Sequence, residues 1–137
     1  MATTTAERSV NRLLGTVFGA VYVLVGLLGF AVTSGVGFVA TEGNNLILFE
    51  VNPLHNVVHL LVGALLLVGS RSVASARAIN TTVGGVYLLV GLLGLFLVGS
   101  SANILALNGA DNVLHLGSAA LLLGVGLTQD RQRVRAA

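Results

Sequence analysis

The sequence predicts an all-α polytopic membrane protein, with four transmembrane helices built as two parallel helical-hairpin repeats. Three observations carry this. Apolar residues make up 55% of the 137-residue chain and charged residues only 9%, against the roughly 25% charged residues of a soluble domain. Predominantly apolar stretches run from Leu13 to Val32, Leu54 to Gly69, Val83 to Val98 and Val113 to Leu127, each near the roughly 17–25 residues a bilayer-spanning helix needs. The chain also repeats itself. Tyr22-Val23-Leu24-Val25-Gly26-Leu27-Leu28-Gly29 returns as Tyr87-Leu88-Leu89-Val90-Gly91-Leu92-Leu93-Gly94, and Asn52-Pro53-Leu54-His55-Asn56-Val57-Val58-His59-Leu60 returns as Asn108-Gly109-Ala110-Asp111-Asn112-Val113-Leu114-His115-Leu116. The expected layout is one membrane domain over 1–137, repeat one at 11–70 and repeat two at 80–128.

The polar segment Met1 to Ser9 carries Glu7 and lacks the pattern of a cleaved leader, so the first helix is expected to be retained. That helix holds Gly15, Gly19, Gly26 and Gly29, and the third holds Gly84, Gly85, Gly91 and Gly94. In lipid, glycine lets helix backbones approach and pack by dispersion. Gly15-x-x-x-Gly19 is read as packing within the bundle, with a homo-oligomer interface as its alternative. The repeated glycines predict contact between the first and third helices.

Tyr22 pairs with Tyr87 at an offset of 65 and His59 with His115 at 56, so the first outer loop is nine residues longer than the second. Its Gly- and Asn-rich start and the apolar run Leu46-Ile47-Leu48-Phe49 suit a short strand or interfacial helix over the bundle. Each half is helix, outer loop, helix, and therefore begins and ends on one side of the membrane. Such a parallel repeat has its pseudo-two-fold axis along the membrane normal.

All seven basic residues are arginines: Arg8, Arg12, Arg71, Arg77, Arg131, Arg133 and Arg135. They fall in or beside the two tails and the middle loop, whereas the outer loops hold Glu42, Glu50 and Asp111. Retention of basic residues inside predicts cytoplasmic tails at 1–9 and 129–137 in a multi-pass plasma-membrane protein. The net charge of +2 then reflects topology and anionic headgroups, and gives no support for a nucleic-acid partner. The lipid bilayer is the expected partner, with a homo-oligomer or a second membrane protein as candidates. Zero cysteines exclude disulfides, thiolate metal sites and a cysteine nucleophile. Ser34, Ser100, Ser101 and Ser118 have no histidine in a meaningful context, so the reading leans away from an enzyme.

Polar residues are costly in such a chain, and the duplicated Asn/His motif concentrates them. On a helix, positions i, i+4 and i+7 share a face, which places Asn52, Asn56 and His59 on one stripe and Asn108, Asn112 and His115 on its counterpart. Asn52 before Pro53 reads as a helix cap, and Asn108 before Gly109 as a looser one. Capping does not account for Asn56, His59, Asn112 or His115. Their leading explanation is interhelical hydrogen bonding, a clasp repeated in each half. Metal binding is the sharper alternative: His55 and His59 stand at i, i+4, Asp111 and His115 occupy the equivalent pair, and Glu50 is close in sequence. The second alternative is a haem with His59 and His115 as axial ligands, although the chain has no tryptophan and its arginines lie at the opposite end. Conduction of protons or small solutes along the stripe is a third. The overall expectation is a non-enzymatic structural or partner-binding membrane subunit without a cofactor, with metal or haem binding as the alternative.

From Asn11 to Leu127, the block Tyr-x-x-x-Gly-x-x-Gly followed by Asn-x-x-[His/Asp]-Asn-x-x-His-Leu resembles a family of small actinobacterial membrane proteins catalogued as domain of unknown function 4383. Asn56/His59 and Asn112/His115 match its most recognisable signature. The resemblance implies four transmembrane helices in a bacterial plasma membrane, and no particular activity.

Overall fold

Large apolar side chains point outward in this protein and polar ones inward. In a computed structural model describing residues 9–132, Leu24, Leu89 and Phe96 are 55%, 62% and 83% exposed, while Asn11, Asn52 and Asn56 are fully buried. Water would penalise that arrangement, but hydrocarbon matches an aliphatic exterior and forces polar groups to find partners inside. The elements are α1 (Val10–Val32), β1 (Asn44–Leu46), β2 (Phe49–Val51), α2 (Pro53–Gly69), α3 (Val73–Leu97) and α4 (Gly109–Thr128). Helices α1, α3 and α4 are long and apolar enough to cross a membrane. Helix α2 is apolar but only 17 residues long, at the lower bound of about 17 for a span.

Capping residues set the helix starts. Ser9 accepts from Arg12 N, Asn52 from His55 N, Ser72 from Ser75 N and Asn108 from Asp111 N. The Ser72 cap starts α3 ten residues before the apolar run at Val83. The middle loop is therefore short, and of its two expected arginines Arg77 lies on α3, its Nε donating to Gly126 O at 2.9 Å. Nothing in the Ala/Ser/Arg segment that opens α3 breaks a helix, so the cap decides. Arg8, Arg133 and Arg135, with most of both tails, lie outside the described residues.

The first outer loop contains a two-stranded antiparallel hairpin with Asn44 opposite Val51, Asn45 opposite Glu50 and Leu46 opposite Phe49. Ile47 at its tip has φ +62°, a left-handed conformation that a β-branched residue adopts only under constraint. Gly43 is needed at the base, since a Cβ there would strike the backbone carbonyl of Val51.

The glycines correct one expectation. Rather than joining α1 to α3, the repeated glycines seat the partner helix of their own hairpin. Gly19 meets Leu67, Gly26 meets Leu60 and Gly29 meets Asn56, all between α1 and α2. Gly84 meets Leu123, Gly91 meets Leu116 and Gly94 meets Asn112, all between α3 and α4. Accordingly α1 packs chiefly along α2 and α3 along α4, while the hairpins touch each other more lightly. The pairing does not follow loop length, since only residues 70–72 separate α2 from α3 while residues 33–52 separate α1 from α2, so the glycine notches decide it. Between the hairpins lies a core of Tyr22, Leu66, Val83, Tyr87, Ala119 and Leu122.

Candidate functional site

Three polar layers follow one another from the α1–α2 and α3–α4 loops into the bundle. The first is the pair of caps. Asn52 Oδ1 accepts from His55 N at 2.8 Å, while its Nδ2 donates to Ala40 O in the first outer loop and Ile104 O in the second, at 2.7 and 2.8 Å. Asn108 Nδ2 reciprocates by donating to Leu48 O of the first loop at 3.0 Å. The Asn108 cap is not the looser one that Gly109 implied. Asp111 closes a full capping box, its Oδ2 accepting from Asn108 N at 2.9 Å. The same oxygen accepts from Glu50 N at 3.3 Å, and Glu50 Oε1 accepts from Gly43 N at 2.6 Å. Both acidic candidates are thus engaged with backbone amides.

The second layer is Asn56 and Asn112, both buried and each fitted over a glycine of its own hairpin, Gly29 and Gly94. A Cβ on either glycine would collide with the asparagine Oδ1. Asn56 Nδ2 also donates to Thr33 Oγ1 at 3.1 Å, and that hydroxyl donates to Gly29 O at 3.0 Å.

The third layer brings together all three histidines of the chain. His55, His59 and His115 are 2%, 2% and 3% exposed, and each offers a ring nitrogen within 4.8 Å of those of the other two. Ring centroids lie 4.6 Å apart for His55 and His59, 6.0 Å for His55 and His115 and 6.4 Å for His59 and His115. Nδ1 of all three and Nε2 of His59 lack a hydrogen-bond partner. The His55 ring lies against the backbone carbonyls of Glu50 and Leu105, and a proton held on that side leaves the Nδ1 lone pair free.

Two tyrosines complete the layer. Tyr22 stacks on His59 at 5.5 Å with 12° between the planes, Tyr87 meets His115 edge-on at 5.1 Å, and the tyrosine rings are 5.4 Å apart. The Tyr22 hydroxyl faces Tyr87 and Ser118 without closing a well-formed hydrogen bond to either. The sequence marked Tyr22 and Tyr87 only as repeat landmarks. Their recurrence was the available signal for a place in the site, whereas Ser118 carried none.

A separate cluster lies at the opposite end, outside the repeated motif. Asn11 N and Nδ2 donate to Asp130 Oδ2 at 3.0 and 3.1 Å, Ser9 Oγ donates to the same oxygen at 2.6 Å, and Asn80 Nδ2 donates to Asn11 O and Oδ1 at 2.9 and 3.1 Å. These bonds tie α1 to α3 and to the end of α4. An asparagine on each of two apolar helices was the signal for it.

Two cavities reach the histidines. One of about 60 Å³ between α2 and α3 is bordered by His55, His59, His115 and Tyr87, and one of about 220 Å³ between α1 and α4 ends at Tyr22, His59 and Ser118. No curated protein and no solved structure matches this chain. A family model matches residues 12–128, a span from the first helix to the end of the fourth that includes every residue of the three layers. The chain belongs to the family described as domain of unknown function 4383.

Proposed function

We propose that this chain is a metal-binding membrane protein in which His55, His59 and His115 hold one divalent transition-metal ion, while the asparagine layers clasp the helices. The observation that carries the reading is a contrast between two buried polar clusters. Around Asn11 and Asn80 the amide donors find protein acceptors and Asn80 Oδ1 is left over. Around the histidines four ring nitrogens have none. Buried polar atoms are normally paired, so a convergent set of free lone pairs points to a ligand. A tetrahedral ion with metal–nitrogen bonds of about 2.0–2.1 Å would draw the donors to about 3.3 Å apart, a modest closure from the present spacing. Neutral imidazoles suit zinc, copper, nickel or iron. Asp111 is not part of this cluster, its carboxylate being turned to the backbone amides of Asn108 and Glu50.

A haem fits less well. The rings of Tyr22, Tyr87 and His55 already crowd the space between His59 and His115, and the adjoining cavities of about 60 and 220 Å³ fall below the roughly 300 Å³ at which drug-sized sites begin. Cobalt(II) titration of the full chain in detergent provides the test, because tetrahedral cobalt has intense visible bands. Saturation at one ion per chain is expected, with loss of the bands in His59→Ala and in His115→Ala. Absence of stoichiometric binding, or lower thermal stability in His115→Ala with cobalt binding intact, would leave the histidines as a clasp and overturn the metal reading.

We also propose that the hairpins are tandem copies related by rotation about the membrane normal, with the Arg71 end inside. Supporting the duplication, the three glycine contacts recur at constant offsets, 65 for each glycine and 56 for each partner, as in Gly19–Leu67 and Gly84–Leu123. Supporting the orientation, Arg12, Arg71, Arg77 and Arg131 belong to the end opposite Glu42, Glu50 and Asp111. A single cysteine from Ala74→Cys should react with a membrane-impermeant maleimide only after the cells are opened. Labelling in intact cells would reverse the orientation.

A further inference from the structure

We infer that the cleft between α1 and α4 is a lateral binding site for a lipid-dissolved molecule with an oxygen-bearing six-membered ring on an apolar tail, the chemistry of a quinone or a phenolic lipid. This goes beyond the metal reading and stands without it. The argument starts from composition. The chain has five phenylalanines, two tyrosines and no tryptophan, yet three of those seven rings, Phe18, Tyr22 and Phe49, line this one cleft together with His59. Phe18 and Tyr22 meet edge to face at 5.7 Å, and a planar guest would extend that packing to Phe49, because flat rings pack face and edge against each other. The gathering also draws on distant parts of the chain. Phe18 and Tyr22 come from α1, Leu114 and Ser118 from α4, and Phe49 reaches over from the outer hairpin.

Volume sets the size of the guest. An apolar cavity of about 150 Å³ accepts a benzene, so about 220 Å³ takes one substituted ring and leaves no room for a macrocycle. Polarity sets its chemistry. The walls are almost wholly apolar, but the cleft ends at Tyr22, His59 and Ser118, which are 2%, 2% and 3% exposed. Tyr22 Oη and both His59 nitrogens lack partners and are themselves covered by the wall of the cleft, so a ring oxygen at this end would accept from the hydroxyl or an imidazole N–H after a small turn of the Tyr22 or His59 ring. Apolar walls with a few convergent polar groups are the usual build of a small-molecule site. The mouth is formed by Val17 and Val21, each about half exposed on the face a bilayer would cover. The guest would therefore enter sideways from lipid and leave its tail there.

The test uses the full chain, stripped of metal with a chelator, in nanodiscs of neutral lipid. Because its only strong emitters are two tyrosines in contact with each other, a short-tailed benzoquinone should quench the emission saturably at micromolar concentration. Val25→Phe, which fills the cleft from its rim, should weaken this at least tenfold while leaving cobalt binding unchanged. If that variant fails to fold, Val21→Phe at the mouth serves in its place. Quenching that only rises linearly with quinone, or that is the same in a folded cleft-filling variant, would overturn the inference. So would equal competition by a fatty acid of the same tail length, since the cleft would then hold acyl chains. Loss of cobalt binding with retained quinone binding would sink the metal reading alone.

Discussion

The α1–α2 and α3–α4 hairpins share a packing skeleton and differ in their polar chemistry. Both seat an asparagine and two leucines on three glycines of the preceding helix. Above that seam they diverge. The first hairpin supplies His55 where the second supplies Asp111, and the imidazole joins the histidine cluster while the carboxylate closes a helix cap. The first holds Thr33 under its asparagine, and at the corresponding offset of 65 the second has Val98. Its outer loop carries a β-hairpin, whereas the second runs through turns. Backbone-to-side-chain contacts in lipid tolerate little change in volume, while a polar position can be reassigned once some other group meets its hydrogen bonds.

The sharpest way to break this comparison is to fill the notches. Gly29→Ala and Gly94→Ala should each destabilise the protein by about 1–3 kcal/mol, the usual range for overpacking, measured by reversible unfolding in mixed micelles. Asn56→Ala should relieve Gly29→Ala, and Asn112→Ala should relieve Gly94→Ala. Relief in the crossed combination would mean that the glycines do not belong to their own hairpin's seam. A smaller effect tests the reassigned acid: Asp111→Ala should cost about 1 kcal/mol through loss of the cap, and His55→Ala at the equivalent position should remove cobalt binding. If Asp111→Ala removes it too, the carboxylate belongs to the ion's environment more closely than its cap bonds imply. Smallest is the threonine difference. Because hydrogen bonds within membrane proteins average about 0.6 kcal/mol, Asn56→Ala should exceed Asn112→Ala by roughly that amount, and Thr33→Val should erase the excess. Equal costs for the two asparagines would show that the Thr33 bond contributes nothing net.

How much of this was legible in the sequence depended on whether the constraint was local. Apolar runs reveal helices because length and hydropathy are properties of one segment, and the Asn-Pro pair at 52–53 announces its cap for the same reason. The Ser72 cap is as local, but apolarity alone starts the third helix at Val83, ten residues later than the cap does. Partners were harder. Repetition says that Gly29 and Gly94 are equivalent, but it is silent on what each one touches, and the leap to an α1–α3 contact failed on that point. His55 and Asp111 occupy equivalent places in the motif, and only the fold shows that Asp111 turns toward Asn108 and Glu50. The stacking of Tyr22 on His59 depends on register between two helices, which no single segment encodes.

The reciprocal cap bonds also imply an order of events during synthesis. Asn52 donates to Ile104 O across 52 residues, and Asn108 to Leu48 O across 60. At about 5–20 residues per second, the first of these acceptors leaves the ribosome roughly 3–10 s after the asparagine that needs it. Through that interval α1 and α2 can zip along their glycine seam with the Asn52 amide still lacking Ile104 O, so the first hairpin forms as a finished pair with an unfinished top. Arrival of the second hairpin supplies Ile104 and brings His115 to the waiting His55 and His59. The histidine cluster is therefore completed only by the second hairpin, after the first has closed.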